Sequence, residues 1–128
     1  MARTLLVPQS FPLATGASYF PTTPLAGTAA DLVWTAADAV NDNYVPIIST
    51  KTVVLIWNSD ASAHTVTIHS VADAQGRTGD ITTYSQAAHT VSCFGPFTTT
   101  AGWNQTSPAG LYIDCVNALQ LIAVLTLP

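Results

Sequence analysis

Charge is scarce in this sequence, and the scarcity limits what the protein can bind. Lys and Arg together number three, Asp numbers seven and Glu is absent, so charged residues make up 8% of the 128 residues and the formal net charge is −4. A chain with so little positive charge has no basic patch for the phosphates of nucleic acid or the headgroups of an anionic membrane. We therefore expect neither nucleic acid nor membrane as a partner.

Long hydrophobic runs are missing too. The longest candidate, Leu119–Leu127, is interrupted by Gln120 and Thr126 and falls short of the roughly 18 apolar residues of a membrane helix. Near the N-terminus, three apolar residues lie between Arg3 and Pro8, whereas the apolar core of a signal peptide has about 7–15. Export by the standard route is not expected.

Recognisable catalytic and cofactor motifs are absent from the sequence. It has no Gly-x-Ser-x-Gly elbow, no phosphate-binding glycine loop and no Cys/His pair with a local signature. His64 and His69, five apart in a predicted strand, should point to opposite faces and not share a metal. The loop 73–80 lacks the dense Asp/Asn alternation of a calcium loop, and we expect Arg77 to pair within it, with Asp73 or Asp80. We predict a non-enzyme without cofactor or metal.

Cysteine is limited to Cys93 and Cys115, which fall in two predicted strands. A disulfide is geometrically possible if those strands are neighbours, but free buried thiols are the favoured interpretation for a protein made in the cytosol.

Apolar residues, in contrast, are abundant. They make up 48% of the sequence, and the mean hydropathy is +0.36, which is high for a small soluble monomer. We expect part of the surface to be covered by a partner.

The first 30 residues form a segment of their own, which we call the N-terminal arm. It holds four of the eight prolines and no acidic residue, a composition that favours an extended arm over a helix or a central strand. Fully extended, thirty residues reach roughly 100 Å. Its many large apolar groups indicate that its own domain or a neighbouring molecule holds it, and these side chains are the predicted partner contacts: Leu5, Leu6, Val7, Phe11, Leu13, Tyr19 and Phe20.

Residues 31–128 form the second predicted unit. Short apolar runs alternate with turn clusters, which predicts a single all-β sandwich of about eight short antiparallel strands, jelly-roll-like in its connections. One or two helical turns between Ala29 and Val40 remain an alternative. The predicted strands are Leu32–Thr35, Tyr44–Ile48, Thr52–Trp57, Thr65–Val71, Ile81–Tyr84, His89–Phe94, Leu111–Val116 and Gln120–Leu127.

Three details of this prediction concern pairing and termination. Thr52–Trp57 is an apolar run typical of a strand covered on both faces, and the alternation in Thr65–Val71 indicates one wet face. These two strands are expected to form the central antiparallel hairpin, and the last two strands a closing hairpin. Pro46 places the predicted strand Tyr44–Ile48 at a sheet edge. Gly95-Pro96 is expected to end the predicted strand His89–Phe94.

Tryptophan offers two kinds of site. Trp57, in the most apolar strand, is expected in the core, and Trp103, in the polar connection Thr98–Ala109, is expected on the surface. With Asn104 it is the predicted loop contact, either for a protein partner or for a sugar ring stacked on the indole.

The C-terminal third resembles a known family. The sequence FGPF at Phe94–Phe97, the loop GWNQTSPAGLYIDC and the last strand LQLIAVLTLP are similar to small decoration, or cement, proteins that coat the capsids of tailed bacteriophages. The resemblance covers roughly Val45–Leu127, and the N-terminal arm shares only its general character.

The resemblance implies a function without catalysis. It implies a structural virion protein, synthesised in the host cytoplasm, that binds the major capsid protein on the outer capsid surface and stabilises the shell. We expect a homotrimer whose arm contacts neighbouring subunits. A carbohydrate-binding β-sandwich module and a phage tail or connector component are the alternatives.

Overall fold

The structure is a computed structural model that describes residues 2–10, 32–47, 51–98 and 102–127. Over these residues it contains two β-sheets and no helix, so the all-β prediction is confirmed. The part of the segment 29–40 that is described, from Leu32 onward, has no helical turn. The strands in chain order are β1 (Thr4–Leu5), β2 (Gln9–Ser10), β3 (Thr35–Ala36), β4 (Asn43–Val45), β5 (Thr52–Asn58), β6 (His64–His69), β7 (Ile81–Gln86), β8 (Val91–Phe97), β9 (Gln105–Thr106), β10 (Ala109–Cys115) and β11 (Gln120–Thr126).

The strands divide between two sheets. Sheet A has the order β1-β4-β10-β6-β7, with β9 paired to β10, and sheet B has the order β2-β11-β5-β8, with β3 paired to β11. Long strands pair antiparallel, whereas the short β1 and β2 run parallel to β4 and β11. The two sheets face each other across one apolar core.

Both predicted hairpins are wrong. β5 pairs with β11 and β8 in sheet B, while β6 pairs with β10 and β7 in sheet A. The predicted closing hairpin of the last two strands is wrong for the same reason, because β10 belongs to sheet A and β11 to sheet B. Each short connection therefore crosses from one sheet to the other instead of turning back within a sheet.

The core comes from alternate residues of both sheets. Inward side chains of β5, β6, β10 and β11 are almost completely inaccessible to solvent, as period-two alternation requires. The fully buried apolar side chains include Val54, Ile56, Val66, Ile68, Ile113 and Ile122.

The strand β8 does not end at Gly95-Pro96 as predicted but continues to Phe97. Gly95 has φ +117°, and a Cβ there would lie 2.8 Å from the backbone oxygen of Thr52. Because glycine has no Cβ, the irregular end of β8 can stay beside β5, and the side chain of Phe97 points into the core.

The start of the N-terminal arm is part of the sandwich. β1 adds to the edge of sheet A beside β4, and β2 adds to the edge of sheet B beside β11, so residues 4–10 link the two sheets along one side. Pro46 directly follows β4, and β1 pairs with the outer side of β4. The prediction that the strand of Pro46 lies at a sheet edge is therefore wrong. Asp38 accepts a hydrogen bond from the Thr4 hydroxyl, and this bond, with those from Asn41 and Val40, lowers the pKa of its carboxyl.

Among the described residues of the arm, Leu6 is the one that joins the core cluster. Its side chain is 2% exposed and packs in the core, whereas the neighbouring Leu5 is 50% exposed. We expect Leu6→Ala to lower the free energy of unfolding by about 2–4 kcal/mol, because it leaves a cavity between the sheets. Leu5→Ala, the matched control, should change it by less than about 0.5 kcal/mol. Urea denaturation of both variants measures the difference, and equal effects would show that the arm is not part of the folded core.

Candidate functional site

The most distinctive surface is the outer side of sheet B. Side chains on β5, β8 and β11 that point away from the core are all apolar, and none carries a charge. We call this surface the apolar face and define it by Val53, Leu55, Trp57, Val91, Cys93, Leu121, Ala123 and Leu125.

The register arranges these side chains in rows across the three strands. Trp57 lies between Val91 on β8 and Leu121 on β11, and in the next row Leu55 lies between Cys93 and Ala123. Side chains opposite each other on neighbouring strands are close enough to touch. The rows therefore form one apolar layer across the three strands, in which Ala123 is only 1% exposed.

Part of this surface is open to solvent. Trp57 is 37% exposed and Val91 is 57% exposed, while Leu55 and Leu121 are half-buried. The prediction that Trp57 lies in the core is wrong. Val54 and Ile56 of β5 point inward, and Trp57, the residue after Ile56, therefore points outward. Its indole makes an edge contact with Trp34, at 6.0 Å between ring centroids.

The outer side of sheet A has the opposite character. Thr65, Thr67 and His69 on β6 point outward beside Tyr112 and Asp114 on β10, which confirms the prediction of one wet face for this strand. We call this surface the polar face.

Arg3 ties the N-terminus to the polar face. Its guanidinium donates to Asp114 at 2.5 Å and lies 4.2 Å from the centre of the Tyr112 ring. The second oxygen of Asp114 is 2.5 Å from Nε2 of His69. One of the three basic side chains is thus held on this face by a carboxylate and an aromatic ring, and the polar face is fixed by its own ion pairs.

The other histidines and acids of the candidate metal sites are engaged locally. His64 contacts Asp60 at 2.6 Å, and Asp73 pairs with Arg77 at 2.8 Å, which confirms the predicted pairing in that loop. Asp80 accepts bonds from the hydroxyl and backbone N–H of Ser70, and these bonds lower the pKa of its carboxyl. Over the described residues no three His, Cys, Asp or Glu side chains converge as metal ligands.

The predicted loop site is only partly presented. Trp103 is half-buried and packs edge-on against Phe97 in the core, at 5.0 Å between ring centroids, and Asn104 beside it is also half-buried. The Trp103 indole also borders a cleft of about 350 Å³ that Ser70 and Arg77 line. The indole is therefore partly buried against the core and partly accessible, whereas Trp57 is the more exposed tryptophan.

The predicted arm contacts divide into three groups. Leu6 is buried in its own core and is not available to a partner, so this part of the prediction is wrong. Leu5 and the 72% exposed Val7 border a cleft of about 450 Å³ beside Val33 and Ile122. The remaining predicted contacts lie outside the described residues: Phe11, Leu13, Tyr19 and Phe20.

The two thiols differ in environment. Cys115 points into the core from β10, where burial raises the pKa of its thiol to about 12, and Cys93 is exposed on the apolar face. Both are free and they lie in different sheets, so the expectation of buried thiols holds for Cys115 and is wrong for Cys93.

Comparisons with known proteins give no assignment. No family model, no curated protein and no solved structure matches this chain. In the described part of the chain there is also no helix long and apolar enough to cross a membrane.

Sequence reasoning missed the apolar face as a site. The signal was present in β5 and β11, where the residues between the core positions are apolar instead of polar. The run Thr52–Trp57 indicated a strand covered on both faces, but it could not reveal that the outward residues of β5, β8 and β11 join into one surface.

Proposed function

We propose that this protein is a structural virion protein that binds the outer surface of a bacteriophage capsid and stabilises it, as a decoration or cement protein. The apolar face is the observation that carries the proposal, because an uncharged, continuous apolar surface on a small domain is typical of a protein-binding site. The resemblance over roughly Val45–Leu127 supplies the choice of partner, the major capsid protein.

The two faces define an orientation on the shell. The apolar face lies against the capsid and loses its contact with water, and the polar face, with Arg3, His69 and Asp114, remains in solvent. Burial of apolar surface contributes about 25 cal/mol per Å², so this orientation is favoured over the reverse, which would desolvate the charged groups.

The apolar face alone is small for a stable complex. Three strands about 4.8 Å apart, with about five residues at 3.4 Å each, span roughly 250 Å² in projection. Stable interfaces bury about 800 Å² per partner. We propose that the N-terminal arm, including the exposed Leu5 and Val7, adds the missing contact with neighbouring subunits, and that three copies assemble as a trimer. A measured molar mass of three chain masses of 13.4 kDa each, or of a multiple of three, would support the trimer.

We also propose that the sandwich is jelly-roll-like. Four antiparallel pairings are nested along the chain, the outermost being β3 with β11, followed by β4 with β10, β5 with β8 and β6 with β7. A long hairpin rolled into two sheets gives this nesting, and viral capsid proteins and lectins both use such folds. One fold hosts many functions, so this analogy fits capsid binding and carbohydrate binding equally well.

Attachment to the shell should resist salt. Exposed ion pairs are screened strongly at about 0.5 M salt, whereas apolar burial is not weakened. We expect the number of copies on purified capsids to fall by less than about twofold between 0.1 M and 0.5 M NaCl. Quantitative gel analysis of sedimented particles measures this number, and release of most of the protein at the higher salt would contradict the proposed binding mode.

Carbohydrate binding is the second candidate, favoured by the cleft beside Trp103. In this cleft the Trp103 indole lies next to the Asp73–Arg77 pair, so an aromatic ring and polar groups are both within reach of a bound sugar. A glycan array distinguishes the candidates, since binding that is abolished by Trp103→Ala would favour the carbohydrate module. A tail or connector component is a third possibility, and it would place copies in a ring on one axis instead of over the shell.

A further inference from the structure

Among the described residues, the strand β8 forms one edge of sheet B, and one half of it has no protecting charge, proline or bulge. Its sequence, VSCFGPF, contains no charged residue. Natural edge strands are commonly protected by charges, prolines or bulges. Here the irregular Gly95–Phe97 half has Pro96 and a register shift opposite Thr52–Val54, while Val91–Phe94 is regular and has none of these features.

The backbone groups of this half point outward at regular intervals. Asn58 donates its backbone N–H to the carbonyl of Thr90, so residues 90, 92 and 94 of β8 are the ones bonded to β5. The N–H and C=O groups of Val91 and Cys93 therefore point away from β5. Within the described part of the chain, no other strand pairs with β8 on that side.

A strand that pairs here must meet three conditions. It must be extended, it must carry no charge near the edge, and it must present apolar side chains that continue the apolar face. The regular half of β8 itself meets all three, and its unpaired groups have the spacing that an antiparallel copy requires. If Ser92 lies on a two-fold axis, Val91 of each copy faces Cys93 of the other, and this pair can exchange two hydrogen bonds.

We propose that two copies of this chain pair through β8, in antiparallel orientation about a two-fold axis near Ser92. The two B sheets then become one continuous sheet, and the two apolar faces join into a surface twice as large. The contact is isologous and closes at two copies. The pairing does not depend on the proposed function and can be tested on the isolated protein.

Cys93 provides a direct probe of this geometry. In the proposed register the two Cys93 residues lie on the same face with Cα atoms roughly 9 Å apart, within reach of a short bis-maleimide. Cys115 is buried and its raised thiol pKa makes it unreactive toward the reagent. Brief treatment of the full chain should give a covalent dimer at twice 13.4 kDa, and Cys93→Ser should give none.

Charge substitutions separate specific pairing from random collision. Val91→Lys places a like charge on both strands at the contact, and the cross-linked fraction should fall by about fivefold or more. Val91→Asp should do the same with the opposite charge. Val116→Lys is the matched control, because Val116 is 59% exposed and lies outside β8, and it should leave cross-linking unchanged. Labelling of Cys93 without dimer formation, or equal cross-linking in all three variants, would overturn the proposal. Thermal melts confirm that each variant is folded.

Discussion

Gln120→Ala should be among the most destabilising single substitutions in this protein. The side chain is completely buried at the start of β11. Its oxygen accepts the backbone N–H groups of Val116 and Asn117, and its nitrogen donates to the carbonyl of Thr65 and to Gln86. Alanine leaves these groups without partners and opens a cavity, so we expect the free energy of unfolding to fall by about 2–4 kcal/mol.

The neighbouring residue supplies the control for this prediction. Leu119 is half exposed, and Leu119→Ala should change the free energy of unfolding by less than about 0.5 kcal/mol. Guanidinium denaturation followed by tryptophan fluorescence measures both variants. A cost below about 1 kcal/mol for Gln120→Ala would mean that water or other groups replace the amide, and that Gln120 does not link the two sheets.

The buried amides explain why strand positions were easier to predict than strand pairing. Apolar alternation located all the longer strands, because it depends only on which residues face the core. Pairing depends on the connections, and here Asn58 and Gln120 stabilise chain segments that cross between sheets. Asn58, for example, donates to the carbonyl oxygens of Ser62 and Ala87, in the connections on either side of β6 and β7. From sequence alone, the turn residues that follow it, Ser59, Asp60 and Ser62, were indistinguishable from a hairpin turn.

The arm and the tryptophans show the same limit. Leu5, Leu6 and Val7 look equivalent in sequence, yet Leu6 alone enters the core because β1 and β2 fix which way each residue points. Trp57 looked buried because its neighbours in sequence are apolar, although its strand position turns it outward. The apolar character of these side chains predicted that they would be shielded from water. The side of the sheet on which each one lies decides whether the protein's own core or a partner shields it.

Leu55→Asp should abolish attachment to the capsid while leaving the domain folded. Leu55 is in the middle of the apolar face and points away from the core. A carboxylate there would be desolvated in the complex without a partner, a cost of several kcal/mol that corresponds to a loss of affinity of about 100-fold or more. Binding of purified variants to capsids that lack the protein, followed by sedimentation, measures this loss.

Thr65→Asp is the matched control for this variant. It adds the same charge at an outward, half-buried position of β6, opposite Ser85 of β7, on the polar face. Its attachment should stay within about threefold of the unsubstituted protein, because the polar face remains in solvent. Equal losses for both variants would point to a general charge effect, and no loss for Leu55→Asp would remove the apolar face from the binding surface.

The proposed capsid-binding role predicts a specific orientation of the sandwich on intact virions. If this chain is a decoration protein, an image reconstruction of particles that carry it should show copies on the outer capsid surface, with β5, β8 and β11 against the major capsid protein and the polar face around Asp114 in solvent. Density for the chain in a ring on the tail axis, or on the shell with β6 and β10 against the capsid, would contradict the account.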